Sequence, residues 1–412
     1  MTRKAAWLSF GVVGLVAVSC TGAPENTEKT ITIGAILDLT GDVAETGTEE
    51  LRAVQLAFEQ INAAGKVLDS KLVLDNRDPG WDTEKVKKHA NDLADAKVPF
   101  IVGPTASKLS LAGAEVAASR KLTMIAGWPT SPALTTFADE GYFFRTIPSD
   151  ALQGKVVAQR AYNDKGFRTA AVIYAPHAYG EGLSATFREA FTALGGTITQ
   201  SVAYSEDEGT DYTALVNSVL TDDPDTIVLI AYAVTGAKIL RAYVDNYSAT
   251  GKFWYLTDGC AGQDFVDLVE AQRFVGLRHE GTTPATPVGS NATAFNDAFK
   301  AKHGVDPLPG STGAIQAYDA VYLGVLAMAA AGSTDSTAIR DKLAAVSGPP
   351  GEKFTPSQFS QALDAIKAGQ DIDFEGASGA VDFDDKGDVV GPYCIWEVQN
   401  GTVTCLRNDY NP

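Results

Sequence analysis

The stretch that decides the fold is Ile101-Val-Gly-Pro-Thr-Ala-Ser-Lys-Leu-Ser110. An apolar run, Val98-Pro-Phe-Ile-Val102, stops at Gly103. Small residues follow, and then a helical pattern through Ala112, Val116 and Ala117. This reads as a buried strand whose carboxyl end turns directly into a helix. A helix start of this kind presents unpaired backbone N–H groups and a positive dipole to the crevice beyond the strand. Ser107 adds a hydroxyl there, to cap the helix or to donate to an anion. The geometry suits a carboxylate.

Outward from this point the same unit repeats. Ile31–Leu37 reads as a strand and Glu49–Ala63 as a helix, with Leu51, Val54, Ala57, Phe58 and Ile61 on one face. Strands at Lys71–Asp75, Val98–Val102 and Leu122–Ala126 alternate with helices at Thr83–Ala96 and Lys108–Ser119. A second series opens at Tyr142. It reads as helix Asp150–Asp164, then strands Thr169–Tyr174, Thr197–Tyr204, Thr226–Ala231 and Lys252–Thr257. Helices Gly182–Leu194, Tyr212–Leu220 and Thr235–Tyr247 separate them. Alternation of this kind gives parallel sheets covered on both faces, and two series give two α/β lobes. Thr282–Asn291 reads as a crossing or loop. Helices are expected at Asn291–His303, Ser311–Ala331, Asp335–Val346 and Thr355–Lys367. Strand-like pieces close the chain at Gly379–Phe383, Tyr393–Val398 and Thr402–Leu406.

The chain has 412 residues, 45% hydrophobic, with a formal net charge of -18. That is enough apolar material for two cores. So acidic a chain is a poor nucleic-acid binder, because phosphate neutralisation needs clustered Lys and Arg. Arg3 and Lys4 precede an apolar run, Ala5–Val18, and Ala17-Val18-Ser19 supplies small residues for cleavage. Residues 1–19 are therefore expected to be an export signal, too short to span a bilayer. Cleavage after Ser19 would leave Cys20 first, as in the lipobox of bacterial lipoproteins; ordinary secretory cleavage fits the same residues. Residues 20–29 suit a flexible tether. Cys394 and Cys405 flank Asn400-Gly401, a strong hairpin signal, and lie diagonally on one face. A disulfide fits an exported protein, leaving Cys260 as a free thiol; three unbridged small apolar residues are the alternative.

Several segments fall in a set order: Ile33-Gly-Ala-Ile-Leu-Asp-Leu-Thr-Gly41, Ala57-Phe-Glu-Gln-Ile-Asn-Ala-Ala-Gly65, Ile101-Val-Gly-Pro104 and Thr130-Ser-Pro-Ala-Leu-Thr135. Phe144-Arg-Thr-Ile-Pro-Ser149, Ala178-Tyr-Gly-Glu-Gly182 and Tyr255-Leu-Thr-Asp-Gly259 complete it. The set resembles the branched-chain amino-acid-binding (Leu/Ile/Val-type) substrate-binding proteins of ABC transporters, with the periplasmic binding protein type I fold. The resemblance covers about residues 30–408. It implies two doubly wound parallel-sheet lobes joined by a three-crossover hinge. The crossings are expected near Arg145–Ser149, Gly276–Gly281 and Phe374–Ser378. Lobe one would hold 30–146 and 281–375, and lobe two 147–280 and 376–412.

The resemblance carries a ligand site residue by residue. Ser107 would donate to the ligand carboxylate; a plain N-cap is the alternative. Pro129 would offer its carbonyl, and Thr130 its hydroxyl and N–H. Trp128 departs from the small residue usual at its position, and either walls the pocket or covers the core. Tyr179 would close over the ligand from lobe two, and Tyr232 is a similar candidate. Asp258 would pair with an α-ammonium; capping a turn is the alternative. The implied function is an exported, monomeric, lipid-tethered solute-binding subunit of an ABC importer, working with a membrane permease. It takes an aliphatic amino acid or a related amide and no cofactor. A ligand sensor reporting to a separate receptor is the rival. Other signals are set aside. Gly180-Glu-Gly182 is a loose dinucleotide fingerprint. The histidines at 89, 177, 279 and 303 lack metal-ligand spacing. Asp382, Asp384, Asp385 and Asp388 read as a solvated turn. No nucleophile–base constellation of a hydrolase is found.

Overall fold

A computed structural model describes residues 1–2, 28–207, 209–307 and 313–411. Residues 3–27, which include most of the expected export signal, Cys20 and most of the tether, lie outside the described residues. The first sheet is built from β1 (Thr30–Ile36), β2 (Lys71–Arg77), β3 (Ile101–Val102), β4 (Met124–Ala126) and β5 (Phe143–Arg145). All pairings are parallel, in the order β2-β1-β3-β4-β5. Helices α1 (Ala44–Ala64), α2 (Thr83–Asp95), α3 (Ser107–Arg120) and the short α4 (Pro132–Thr136) connect them. The chain then runs through α5 (Asp150–Gln159), β6 (Thr169–Tyr174), α6 (Ala178–Ala193), β7 (Thr197–Ala203) and α7 (Tyr212–Leu220). It continues with β8 (Thr226–Ile230), α8 (Ala233–Asn246), β9 (Phe253–Leu256), α9 (Gln263–Val269) and β10 (His279–Pro284).

Next come α10 (Ser290–His303), α11 (Ala314–Ala331), α12 (Ser336–Ser347), β11 (Glu352–Phe354), α13 (Phe359–Lys367) and β12 (Ile372–Phe374). A hairpin, β13 (Tyr393–Gln399) and β14 (Thr402–Tyr410), ends the fold. The second sheet has seven strands in the order β14-β13-β10-β9-β8-β6-β7. The β10–β13 and β13–β14 pairings are antiparallel and the others parallel.

Three cores result. One lies on the side of the first sheet covered by α1 and α10 to α13. Helix α11 is long and apolar enough to cross a membrane, but 83% of it is buried inside this core. A second lines the far side of the second sheet. The third runs from α2 and α3 through Trp128, Leu134 and Ile147 to Tyr179, Leu183 and Tyr232, and so joins the two lobes.

Local chemistry accounts for the element ends. Asp82 caps α2 by accepting from the Glu84 and Lys85 N–H groups, and Asp335 caps α12 through the Ala338 N–H. Strand β3 is shorter than the apolar run suggests. Pro99 has no N–H for the ladder, and Gly103 turns the chain at φ +95, where a Cβ would lie 2.3 Å from the Ile36 carbonyl oxygen. Helix α1 starts five residues earlier than its apolar face indicates. Gly47 lets the helix pack on the backbone of Asp38, whose carbonyl oxygen lies 2.0 Å from where a Cβ would stand.

Several expectations need correction. Tyr142 does not open a second series: β5 completes the first sheet. The crossing expected at Gly276–Gly281 falls later, because β10 stays paired with β9 and β13 as far as Pro284. Thr282–Pro284 is thus strand, and only 285–289 crosses. The crossing expected at Phe374–Ser378 also falls later. Val381, Phe383 and Val389 pack in the first core, and β13 enters the second sheet only at Tyr393. Gly379–Phe383 is not a strand; Ala380 alone bridges to Glu375. The short β11 and β12 pair in parallel and carry no alternating pattern long enough to see. The hairpin turns at Asn400 and Gly401, Trp396 lies opposite Cys405, and Cys394 and Cys405 form a disulfide with Cα atoms 5.9 Å apart. Cys260 is free and buried.

The acidic turn before β13 is structural. Asp388 is not solvated: its carboxylate takes both the Arg145 Nε (2.6 Å) and Nη2 (2.8 Å). No local pattern marks this pair, because its members are 243 residues apart.

Candidate functional site

Strand ends from both lobes meet in the gap between the sheets. In the first lobe, α3 follows β3 with Ala106 as its capping residue and Ser107 as its first helical residue. The Ser107 hydroxyl does not cap its own helix. It accepts from the Ser131 N–H at 3.2 Å, so it faces the loop that follows β4. That loop carries Trp128, Pro129, Thr130 and Ser131, all buried. Arg145 fixes its shape by donating Nη1 to the Pro129 carbonyl (3.3 Å) and the Ser131 carbonyl (2.8 Å). The Pro129 carbonyl therefore already has a protein donor.

Direct contacts cross the gap. Thr130 Oγ1 donates to Asp150 Oδ2 at 2.9 Å, and the Asp150 N–H donates to the Thr130 carbonyl at 2.8 Å. Ser131 Oγ donates to the Ala178 carbonyl at 2.7 Å. Gly182 faces Pro132, where a Cβ would stand 2.7 Å from Pro132 Cδ. This explains the glycines of the loose dinucleotide fingerprint. Gly180 packs against the Ala175 backbone and Gly182 against the opposite lobe.

The second lobe contributes a polar cluster. The Tyr179 hydroxyl, in the first turn of α6, lies 2.8 Å from Thr257 Oγ1 and donates to Asp258 Oδ1 at 2.8 Å. Gln153 Nε2 donates to the same Oδ1 at 3.0 Å. Ser107, Thr130, Tyr179 and Asp258 are thus linked through one neighbourhood. Tyr232, just before α8, stacks on Tyr179 with ring centroids 4.9 Å apart. It also contacts His177 (5.5 Å), Trp81 (5.5 Å) and Trp128 (5.6 Å). Trp128 therefore walls the gap next to Tyr232.

Asp150 carries no functional mark in the sequence, where it reads as an ordinary first-turn helix acid. In the fold it is fully buried, and its Oδ1 has no partner among the described residues. It feels the charge of Asp258. Burial and that like charge push its carboxyl well above the usual range. Burial raises Asp258 to about 6, against the hydrogen bonds from Tyr179 and Gln153. Two facing acids with a spare oxygen make a pole that accepts N–H donors.

The sign of the pH effect follows. A carboxyl raised in the folded state contributes stability that is complete below its unfolded value, near pH 4, and is lost as pH rises through the folded value. The unliganded protein is expected to melt at lower temperature at pH 8 than at pH 5, and Asp258→Asn to flatten that slope. Calorimetric melts at the two pH values check this; an identical slope in the variant removes Asp258 from the effect.

A periplasmic binding protein family model matches residues 30–402. A chemotactic signal transduction system substrate-binding protein, BasB of Halobacterium salinarum, is 26% identical over 90% of this chain and 88% of its own length. The Leu/Ile/Val-binding protein BraC3 of Rhizobium johnstonii is 26% identical over 76% of this chain and 83% of its own length. Among solved structures, the branched-chain amino acid transporter substrate-binding protein LivJ of Streptococcus pneumoniae, in complex with isoleucine, superposes with a TM-score of 0.77. It is 25% identical, covering 93% of this chain and all of LivJ. On the family match and the paired parallel-sheet lobes, the chain belongs to the periplasmic binding protein family, the solute-binding proteins of ABC transporters.

Proposed function

We propose that this chain is the extracytoplasmic binding subunit of an ABC importer and holds a small α-amino acid or related amide between its lobes. The observation that carries this reading is the pairing of opposite poles across one gap. Ser107, the Thr130 N–H and the start of α3 offer donors to a carboxylate; Asp150 and Asp258 offer acceptors to an ammonium. Tyr179 and Tyr232 supply aromatic cover. A ligand touching both lobes favours the closed arrangement by as much as its contacts there exceed those in an open one. The binding subunit does no chemistry on its ligand. In this reading Cys20 carries a lipid that keeps a monomeric clamp near its permease.

Aliphatic amino acids come first in a screen, since relatives are named for leucine, isoleucine and valine. Thermal-shift measurement of the mature domain against amino acids, amides and aromatic acids tests the proposal, because a ligand that binds only the folded state raises its midpoint. At least one α-amino acid is expected to do so; silence from all of them would move the ligand to another class. Ser107→Ala is expected to weaken binding about tenfold or more, from loss of one hydrogen bond to a charged group, ~1.5–3 kcal/mol. Titration calorimetry reads this. The second reading, a ligand sensor, is favoured by the chemotactic role in BasB's name. Capture of a permease rather than a receptor by the liganded form separates the two.

A further inference from the structure

A second set of buried acids lies behind the carboxylate pole, in the first lobe. Thr105 Oγ1 donates to Glu50 Oε2 at 2.5 Å, and the same Oγ1 lies 3.3 Å from the Asp38 N–H. Asp38 Oδ2 accepts from the Ala106 N–H at 3.4 Å. Asp38 and Glu50 are both 0% exposed. Their other oxygens, Asp38 Oδ1 and Glu50 Oε1, have no hydrogen-bond partner among the described residues.

Position ties these oxygens to the ligand gap. Asp38 ends the segment after β1, and Ala106, its donor, immediately precedes Ser107. Glu50 reaches from α1 to the end of β4, where Gly127 leaves room: a Cβ there would stand 2.9 Å from Glu50 Oε1. The next residue is Trp128, which walls the gap and packs on Gly313. The free Glu50 oxygen therefore lies against Gly127, the residue before Trp128, and the free Asp38 oxygen lies beside the start of α3. Lys108 is a nearby cation, but its Nζ sits over the Trp81 ring at 3.8 Å. Burial holds Asp38 up to about 7 and Glu50 up to about 8. An aliphatic side chain would leave both oxygens unpaired in an apolar setting, which costs free energy.

We infer that Asp38 and Glu50, bridged by Thr105, form a side-chain subsite for a nitrogen-bearing head, a carboxamide or an ammonium, so that the preferred amino acid is not aliphatic. The inference rests on the reading of an α-amino acid as ligand and narrows it. Carboxyl oxygens without partners accept N–H groups, and an amide or ammonium carries two or three of them.

Titration calorimetry of the mature domain with L-asparagine, L-glutamine, L-ornithine, L-lysine, L-leucine and L-methionine tests this. Asparagine and leucine, like glutamine and methionine, are close in shape and differ in polarity. The better nitrogen-bearing ligand is expected to bind at least 30-fold tighter than leucine or methionine. The amide and ammonium members of the panel show which head is used. Glu50→Gln is expected to weaken that ligand at least tenfold while leaving leucine within threefold. Glu50→Met is expected to tighten leucine at least fivefold, a gain that misfolding cannot produce. Leucine or methionine binding as tightly as all four nitrogen-bearing ligands overturns the subsite while leaving the α-amino-acid reading intact. An equal loss of every ligand in Glu50→Gln also overturns it. Binding by none of the six overturns the subsite, and the thermal-shift screen of all amino acids decides the α-amino-acid reading by itself.

Discussion

Asp258→Ala is expected to raise the Kd of the bound amino acid by roughly 30-fold to 5,000-fold, the span set by ~2–5 kcal/mol for truncating one partner of a buried charge pair. The acid is positioned, not merely present: Tyr179 and Gln153 both donate to its Oδ1, so the carboxylate is held at a fixed angle to the gap. Loss of the carboxylate leaves the ligand ammonium with Asp150 alone. Stability should move the other way. Without Asp258 its like charge no longer acts on Asp150, so the unliganded variant is expected to melt no lower than the parent at pH 8. Calorimetric titration and melting on one sample separate these effects. A Kd within threefold of the parent would take Asp258 out of the site.

Asp388→Ala is expected to cost about 3–5 kcal/mol of folding stability, because it strands a buried guanidinium without its carboxylate. Arg145 is 0% exposed and meets Asp388 through two hydrogen bonds, a fork that a lysine could not reproduce. Arg145 also donates to Thr135 Oγ1 at 2.7 Å and to the Pro129 and Ser131 carbonyls. The variant should therefore also weaken ligand binding through the Thr130 loop. Urea unfolding reads the first effect. Replacing both partners, Arg145→Met with Asp388→Leu, is expected to recover most of the loss, since an apolar pair removes the uncompensated charge. A single-variant cost under about 1 kcal/mol would show that solvent reaches the guanidinium, contrary to its burial.

Legibility in the sequence varied with range. Helix faces such as Leu51, Val54, Ala57, Phe58 and Ile61 were visible because their period is local, and all but Leu51 are buried. Element ends were less visible. The close approach of Gly47 to the Asp38 backbone, and of Gly182 to Pro132 in the opposite lobe, has no mark in the neighbouring residues. Ser107, Thr130, Tyr179 and Asp258 were nameable because each lies shortly after a strand, in a segment that the resemblance covers. Asp150, Asp38 and Glu50 were not, because nothing in their neighbours along the chain distinguishes a buried acid from a solvated one.

The residues alone determined the alternation of strands and helices, the parallel sheets and the hairpin at Asn400-Gly401. Those depend on side-chain period and turn chemistry over a few residues. Only the tertiary structure decided where the chain passes between lobes, that Arg145 meets Asp388, and that acids from distant elements face one another. Such meetings depend on sheet order and register, which bring Gln153 to Asp258 across 105 residues. No local pattern encodes that distance.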